Sequence, residues 1–84
     1  MRTWVYKSSR RENTYLFIDR ENDFHNVPEA LVNLLGDLTL VIDVVLKPDR
    51  KLAQADPVDV MHQINSQGYF LQLPPGDSKP EKLC

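Results

Sequence analysis

The chain has 84 residues, a formal net charge of −2, 42% hydrophobic and 26% charged residues, and a single cysteine, Cys84. That length supplies one small core and excludes a second, and the mild acidity gives no global attraction to nucleic acid or acidic lipid. No intrachain disulfide can form, and no apolar leader precedes the first patterned run, so the reading places the protein in the cytoplasm.

Taken in order, Thr3 to Lys7 and Thr14 to Asp19 are two short β-rich runs joined by a polar connection of hairpin length, Ser8 to Asn13. Asp19 to His25 reads as a charged loop. Val27-Pro28-Glu29 then opens a short helix, with Asn26 expected as its cap, Gly36 as its stop, and Leu31, Leu34 and Leu35 on one buried face. Leu38 to Leu46 is the strongest strand. Alternation puts Leu38, Leu40, Ile42, Val44 and Leu46 on one face, and the other face is also largely apolar. A run apolar on nearly both sides belongs in the middle of a covered sheet, and it is far too short to span a bilayer. Lys47 to Lys51 is a turn, and Leu52 to Ala55 predicts a helical turn.

Asp56 to Pro75 carries a signal at every boundary. Asp56 is placed to cap a helix, Pro57 suits its first position, and Gly68 suits a left-handed stop. Val60, Met61 and Ile64 form the buried stripe, leaving His62, Gln63 and Asn65 outward. Tyr69 to Leu73 is a last strand, ended by Pro74-Pro75. Residues 1–75 therefore read as one domain and 76–84 as a disordered tail. The fold class is α/β, with element order ββαβ(α)αβ: a small mixed β-sheet of about four strands with helices on both faces. A two-layer α+β arrangement is the competitor.

Several stretches resemble the bacterial YcgL family: Tyr6-Lys7-Ser8-Ser9-Arg10-Arg11 with Asn13-Thr14-Tyr15-Leu16, Asp23-Phe24 with Val27-Pro28-Glu29-Ala30-Leu31, Arg50-Lys51-Leu52-Ala53 with Ala55-Asp56, and Gln67 to Pro75. The likeness runs in order over about residues 3 to 75. It departs from the family pattern at Leu38 to Pro48, where strand character is kept without residue identity, and after Pro75. The resemblance implies an α/β/α sandwich-like domain and brings no activity with it.

Two basic clusters are the best candidates for function. Lys7-Ser8-Ser9-Arg10-Arg11 and Lys47-Pro48-Asp49-Arg50-Lys51 both sit on connections, and both touch the family-like stretches. Arginine offers a bidentate fork to phosphate or carboxylate, and neighbouring hydroxyls add short donors. The site expected on this ground is Lys7, Ser8, Ser9, Arg10, Arg11, Arg50 and Lys51, with the two clusters meeting at one end of the sheet. The plainer alternative is that charges on turns keep a small protein in solution.

Other chemistry finds little support. Trp4, Tyr6, Tyr15, Phe17, Tyr69 and Phe70 line the strands as core residues rather than as a base-stacking platform. Asp19 to Asp23 starts like a calcium loop, but the template's glycine and glutamate positions hold Phe24 and Ala30, so no metal is expected. Ser8 and Ser9 have no neighbouring histidine, His25 and His62 fall in a loop and on an expected exposed helix face, and Asp43 is expected at a locally exposed spot. No catalytic residue or cofactor is assigned. The sequence thus points to a monomeric, non-catalytic binding or adaptor domain contacting RNA or an acidic protein and no membrane. The alternatives are a protein-interaction module using an apolar patch or a sheet edge, or a small enzyme.

Overall fold

The computed structural model describes residues 1–49 and 56–73. Arg50, Lys51, the turn expected at 52–55 and the tail 76–84 lie outside them. The described residues form β1 (Arg2–Ser8), β2 (Tyr15–Ile18), α1 (Glu29–Leu35), β3 (Leu38–Val45), α2 (Pro57–Gln67) and β4 (Phe70–Gln72). The strands make one sheet in the order β3-β1-β2-β4. All three pairings are antiparallel, where a mixed sheet was expected. The helices cover opposite faces. Val5 and Phe17 pack with Val60 and Ile64 of α2, while Tyr6, Leu16 and Ile18 pack with Leu35 of α1.

The α2–β4 unit forms through the residues that mark it. The Asp56 carboxylate accepts from the Val58 N–H at 2.9 Å, which satisfies one of the donors a helix start leaves free. Pro57 takes the first helical position, and Gly68 stops the helix at φ 96°. A side chain at Gly68 would also collide with Asn26, whose Cβ lies 2.4 Å from where a Cβ would stand. Asn26 is therefore a packing neighbour of α2 and not the cap of α1. That cap position is held by Pro28, which offers no side-chain bond. On α1 only Leu35 is buried, Leu31 and Val32 are half-buried, and Leu34 stands 47% exposed, so the expected Leu34 contact is absent.

The larger correction concerns β3. It is an edge strand paired only with β1 among the described residues, and Leu40, Val41, Ile42 and Val45 are exposed. The inner places belong to β1, buried at Thr3, Val5, Tyr6 and Ser8, and to β2, buried at Leu16, Phe17 and Ile18. The short hairpin to β2 takes one side of β1, and β3 takes the other. The register explains why alternation misled. Val5 pairs with Ile42 and Tyr6 with Leu40, leaving Val41 as an extra residue in β3. This bulge shifts the phase, so Leu38 and Leu40 share a face with Tyr6, while Ile42 and Val44 share the opposite face with Val5. A run apolar in both phases suits a bulged edge as well as a covered centre.

Candidate functional site

The end of β1 and the β1–β2 connection hold the first basic cluster, and the fold fixes the Ser8–Arg11 part of it firmly. Asn13 turns the chain through φ 59°, a left-handed conformation that asparagine tolerates. Ser8 is buried, and its hydroxyl is fully used. It donates to the Leu35 carbonyl at 2.6 Å and accepts from the N–H groups of Arg10 at 3.2 Å and Arg11 at 2.9 Å. The Leu35 carbonyl also accepts from the Arg10 N–H, so the hairpin satisfies acceptors that the end of α1 cannot fill itself. The Ser9 hydroxyl accepts from the Asp37 N–H at 2.8 Å, and the Ser9 N–H donates to the Asp37 carbonyl at 3.0 Å.

This docking needs Gly36. Its φ is 77°, and a Cβ there would stand 2.6 Å from both the Arg10 Cγ and the Ser9 Oγ. The Arg10 stem therefore lies over the α1–β3 corner. No basic residue occupies the last turn of α1, so Arg10 and Arg11 bring positive charge to the negative end of that helix from outside it. That helix-end interaction is also the bland explanation for their presence.

The seven expected site residues thus divide. Ser8 and Ser9 spend their hydroxyls on the fold and are positioning residues. Lys7, Arg10 and Arg11 are exposed, and none has an ion-pair partner among the described residues. Arg50 and Lys51 lie outside the described residues. Lys47, from the second cluster, corrects the expected convergence. β3 begins at Leu38 beside Ser8 and ends at Val45 beside Arg2. The seven steps from Leu38 to Val45, at about 3.3 Å each, put the end of β3 that leads to Lys47 roughly 23 Å from the hairpin end. The antiparallel pairing of β3 with β1 carries the two connections to opposite ends of the sheet.

Elsewhere Arg2, Asp43 and Asp23 have structural duties. Asp43 pairs with Arg2 at 2.8 Å, both side chains exposed, and Arg2 also lies 5.0 Å from the centre of the Trp4 ring. The hydrogen bond from Arg2 holds the Asp43 carboxyl below its ordinary range. In the 19–25 loop, the buried Tyr6 hydroxyl accepts from the Asn22 N–H at 2.5 Å, and Phe24 packs edge-on to Tyr6. The Asp23 carboxylate accepts from the His25 N–H at 3.0 Å within its own turn. Among the described residues no three metal-ligating side chains come together, and no helix is long and apolar enough to cross a membrane.

The exposed β3 edge is the feature that sequence reasoning missed. The only signal was Asp43, whose charge marks a strand position open to water. Comparison with known proteins adds the lineage. The family model for the YcgL domain matches residues 3–75. A YcgL domain-containing protein of Stenotrophomonas maltophilia is 44% identical over 75 residues, covering 89% of this chain and 87% of that protein. One from Thioalkalivibrio sulfidiphilus is 36% identical over 80 residues, covering 95% and 99%. One from Pseudomonas paraeruginosa is 40% identical over an 84-residue alignment, covering 94% and 87%.

Proposed function

This chain belongs to the YcgL domain family, and from that premise we propose that it is a cytoplasmic, non-catalytic adaptor that binds an acidic segment of a partner protein through Lys7, Arg10 and Arg11. The observation that carries the reading is the hairpin itself: the Ser8 and Ser9 hydrogen bonds hold the backbone that carries the exposed Arg10 and Arg11, with Lys7 exposed near the end of β1. A preset loop loses little freedom when it binds, so more of the electrostatic gain remains as affinity. An acidic protein suits the molecule better than RNA. Tyr6 and Phe17 are buried, and Trp4 lies against Arg2, so the rings that would stack bases belong to the fold. The net charge of −2 offers nucleic acid no general attraction.

The test titrates the labelled protein with a tetra-aspartate peptide and with a short single-stranded RNA at low salt, reading amide shifts. The peptide should shift Lys7, Arg10 and Arg11. The effect should fade toward 1 M salt, as the Debye length falls from about 10 Å at 0.1 M to about 3 Å. Arg10→Ala with Arg11→Ala should remove it without unfolding the domain. A hairpin that ignores the peptide overturns the proposal, and shifts with RNA alone would assign the surface to nucleic acid instead.

The β3 edge favours a second reading, a protein-interaction module that accepts an extended strand. Ile42 is 55% exposed and Val41 53%, beside backbone groups with no strand on that side among the described residues. Hydrogen exchange of the β3 amides, with and without a captured partner, would separate this mode from hairpin binding.

A further inference from the structure

Arg11 stands at the rim of a groove between α1 and β4, of about 240 Å³, whose other walls are Thr14, Leu34, Leu35, Leu71 and Leu73. Leu35 is buried and forms its floor, while Leu34 and Leu73 stay 47% and 45% exposed. Leu34 has the helical spacing of a core residue yet faces this groove. An apolar trough with an arginine rooted at one side has a defined complement: an apolar side chain next to a carboxylate. The volume lies below the ~300–1,000 Å³ typical of sites for drug-sized ligands and suits one or two side chains of a peptide.

We infer that the groove takes a leucine-sized side chain from the acidic segment, with the adjoining carboxylate on Arg11. The inference rests on the hairpin reading above and adds to it the composition of the partner: acidic residues interrupted by a large aliphatic one. Charge complementarity argues for this occupant. The Arg11 guanidinium has no ion-pair partner among the described residues, and its backbone N–H is anchored 2.9 Å from the Ser8 hydroxyl. The cation therefore approaches the groove from a fixed root, and an uncharged apolar occupant would leave it unpaired.

The experiment titrates the full chain with two ten-residue synthetic peptides. Each carries the same aspartates, with leucine or serine at one central position. The leucine peptide should bind about tenfold more tightly, the low end of what burying one leucine side chain contributes. It should also shift the amides of Leu34, Leu71 and Leu73 in addition to Arg10 and Arg11. Leu34→Ser changes a half-exposed residue, so the domain should remain folded, lose the preference for leucine and keep its binding to the aspartates. Arg11→Ala should weaken both peptides. Equal affinities with shifts confined to the hairpin would overturn the groove inference and leave the acidic-partner reading standing. No shift with either peptide would overturn both. Concentration-dependent shifts at Leu34 and Leu73 without peptide would assign the groove to a second copy of the chain and overturn the inference.

Discussion

Ser8→Ala is the sharpest perturbation of the hairpin, because one oxygen joins three backbone groups. The hydroxyl donates to the Leu35 carbonyl and accepts from the Arg10 and Arg11 N–H groups, and its residue is only 5% exposed. Alanine fits the space but leaves those groups without this partner. The Leu35 carbonyl keeps its bond from the Arg10 N–H, so its loss is partial. The Arg11 N–H loses its 2.9 Å acceptor outright. One buried polar group left unsatisfied costs about 1–3 kcal/mol, and water reaching the exposed side of the loop offsets part of it. The expected loss is therefore about 2 kcal/mol. In a domain of this size that lowers the thermal midpoint by about 8–16 °C. Thermal unfolding followed by circular dichroism measures it, and Ser9→Ala, which removes one exposed bond, should cost under half as much. A loss for Ser8→Ala below about 0.5 kcal/mol, with hairpin amide shifts unchanged, would refute the claim that Ser8 holds the cluster in place. The hydroxyl would then be free for an anion.

Other expectations test the remaining links. Leu46→Ala empties a site that is 2% exposed and should cost about 2–5 kcal/mol, whereas Ile42→Ala on the open edge should cost under about 1 kcal/mol; similar losses in urea denaturation would return β3 to the interior. Gly36→Ala meets both a positive φ and the Arg10 and Ser9 atoms, so a midpoint drop worth at least about 1 kcal/mol is expected. Asp56→Ala removes the α2 cap and should cost about 0.5–2 kcal/mol, read from the same curves. The Asp43 carboxyl should titrate below its midpoint in the Arg2→Ala variant, as followed by side-chain NMR. Because its folded pKa is depressed, the pair's contribution is present above the unfolded value of 3.8 and disappears as pH falls through the folded one.

Local chemistry determined much of this protein before any tertiary contact. Asp56, Pro57 and Gly68 act within a turn or two of themselves, so the limits of α2 could be read directly from residue type. The α2 stripe of Val60 and Ile64 followed from periodicity and the core role of Tyr6 and Phe17 from their place on the strands, whereas helices on both faces were expected from a covered central β3 and from the family resemblance, and are present although β3 lies at the edge. What the sequence left open was decided by pairing across the sheet. Which strand lies at the centre depends on which partner claims each side of β1, and hydrophobicity is the same at a bulged edge as in a covered middle. The Val41 bulge is a register event between two strands, and no property of Val41 announces it. Ser8 looked like an anion donor because its burial comes from α1, 27 residues away in sequence. The two basic clusters looked able to meet because residue spacing says nothing about strand direction. Antiparallel pairing of β3 with β1 sent Lys47 to the far end of the sheet and left Arg10 and Arg11 beside the end of α1.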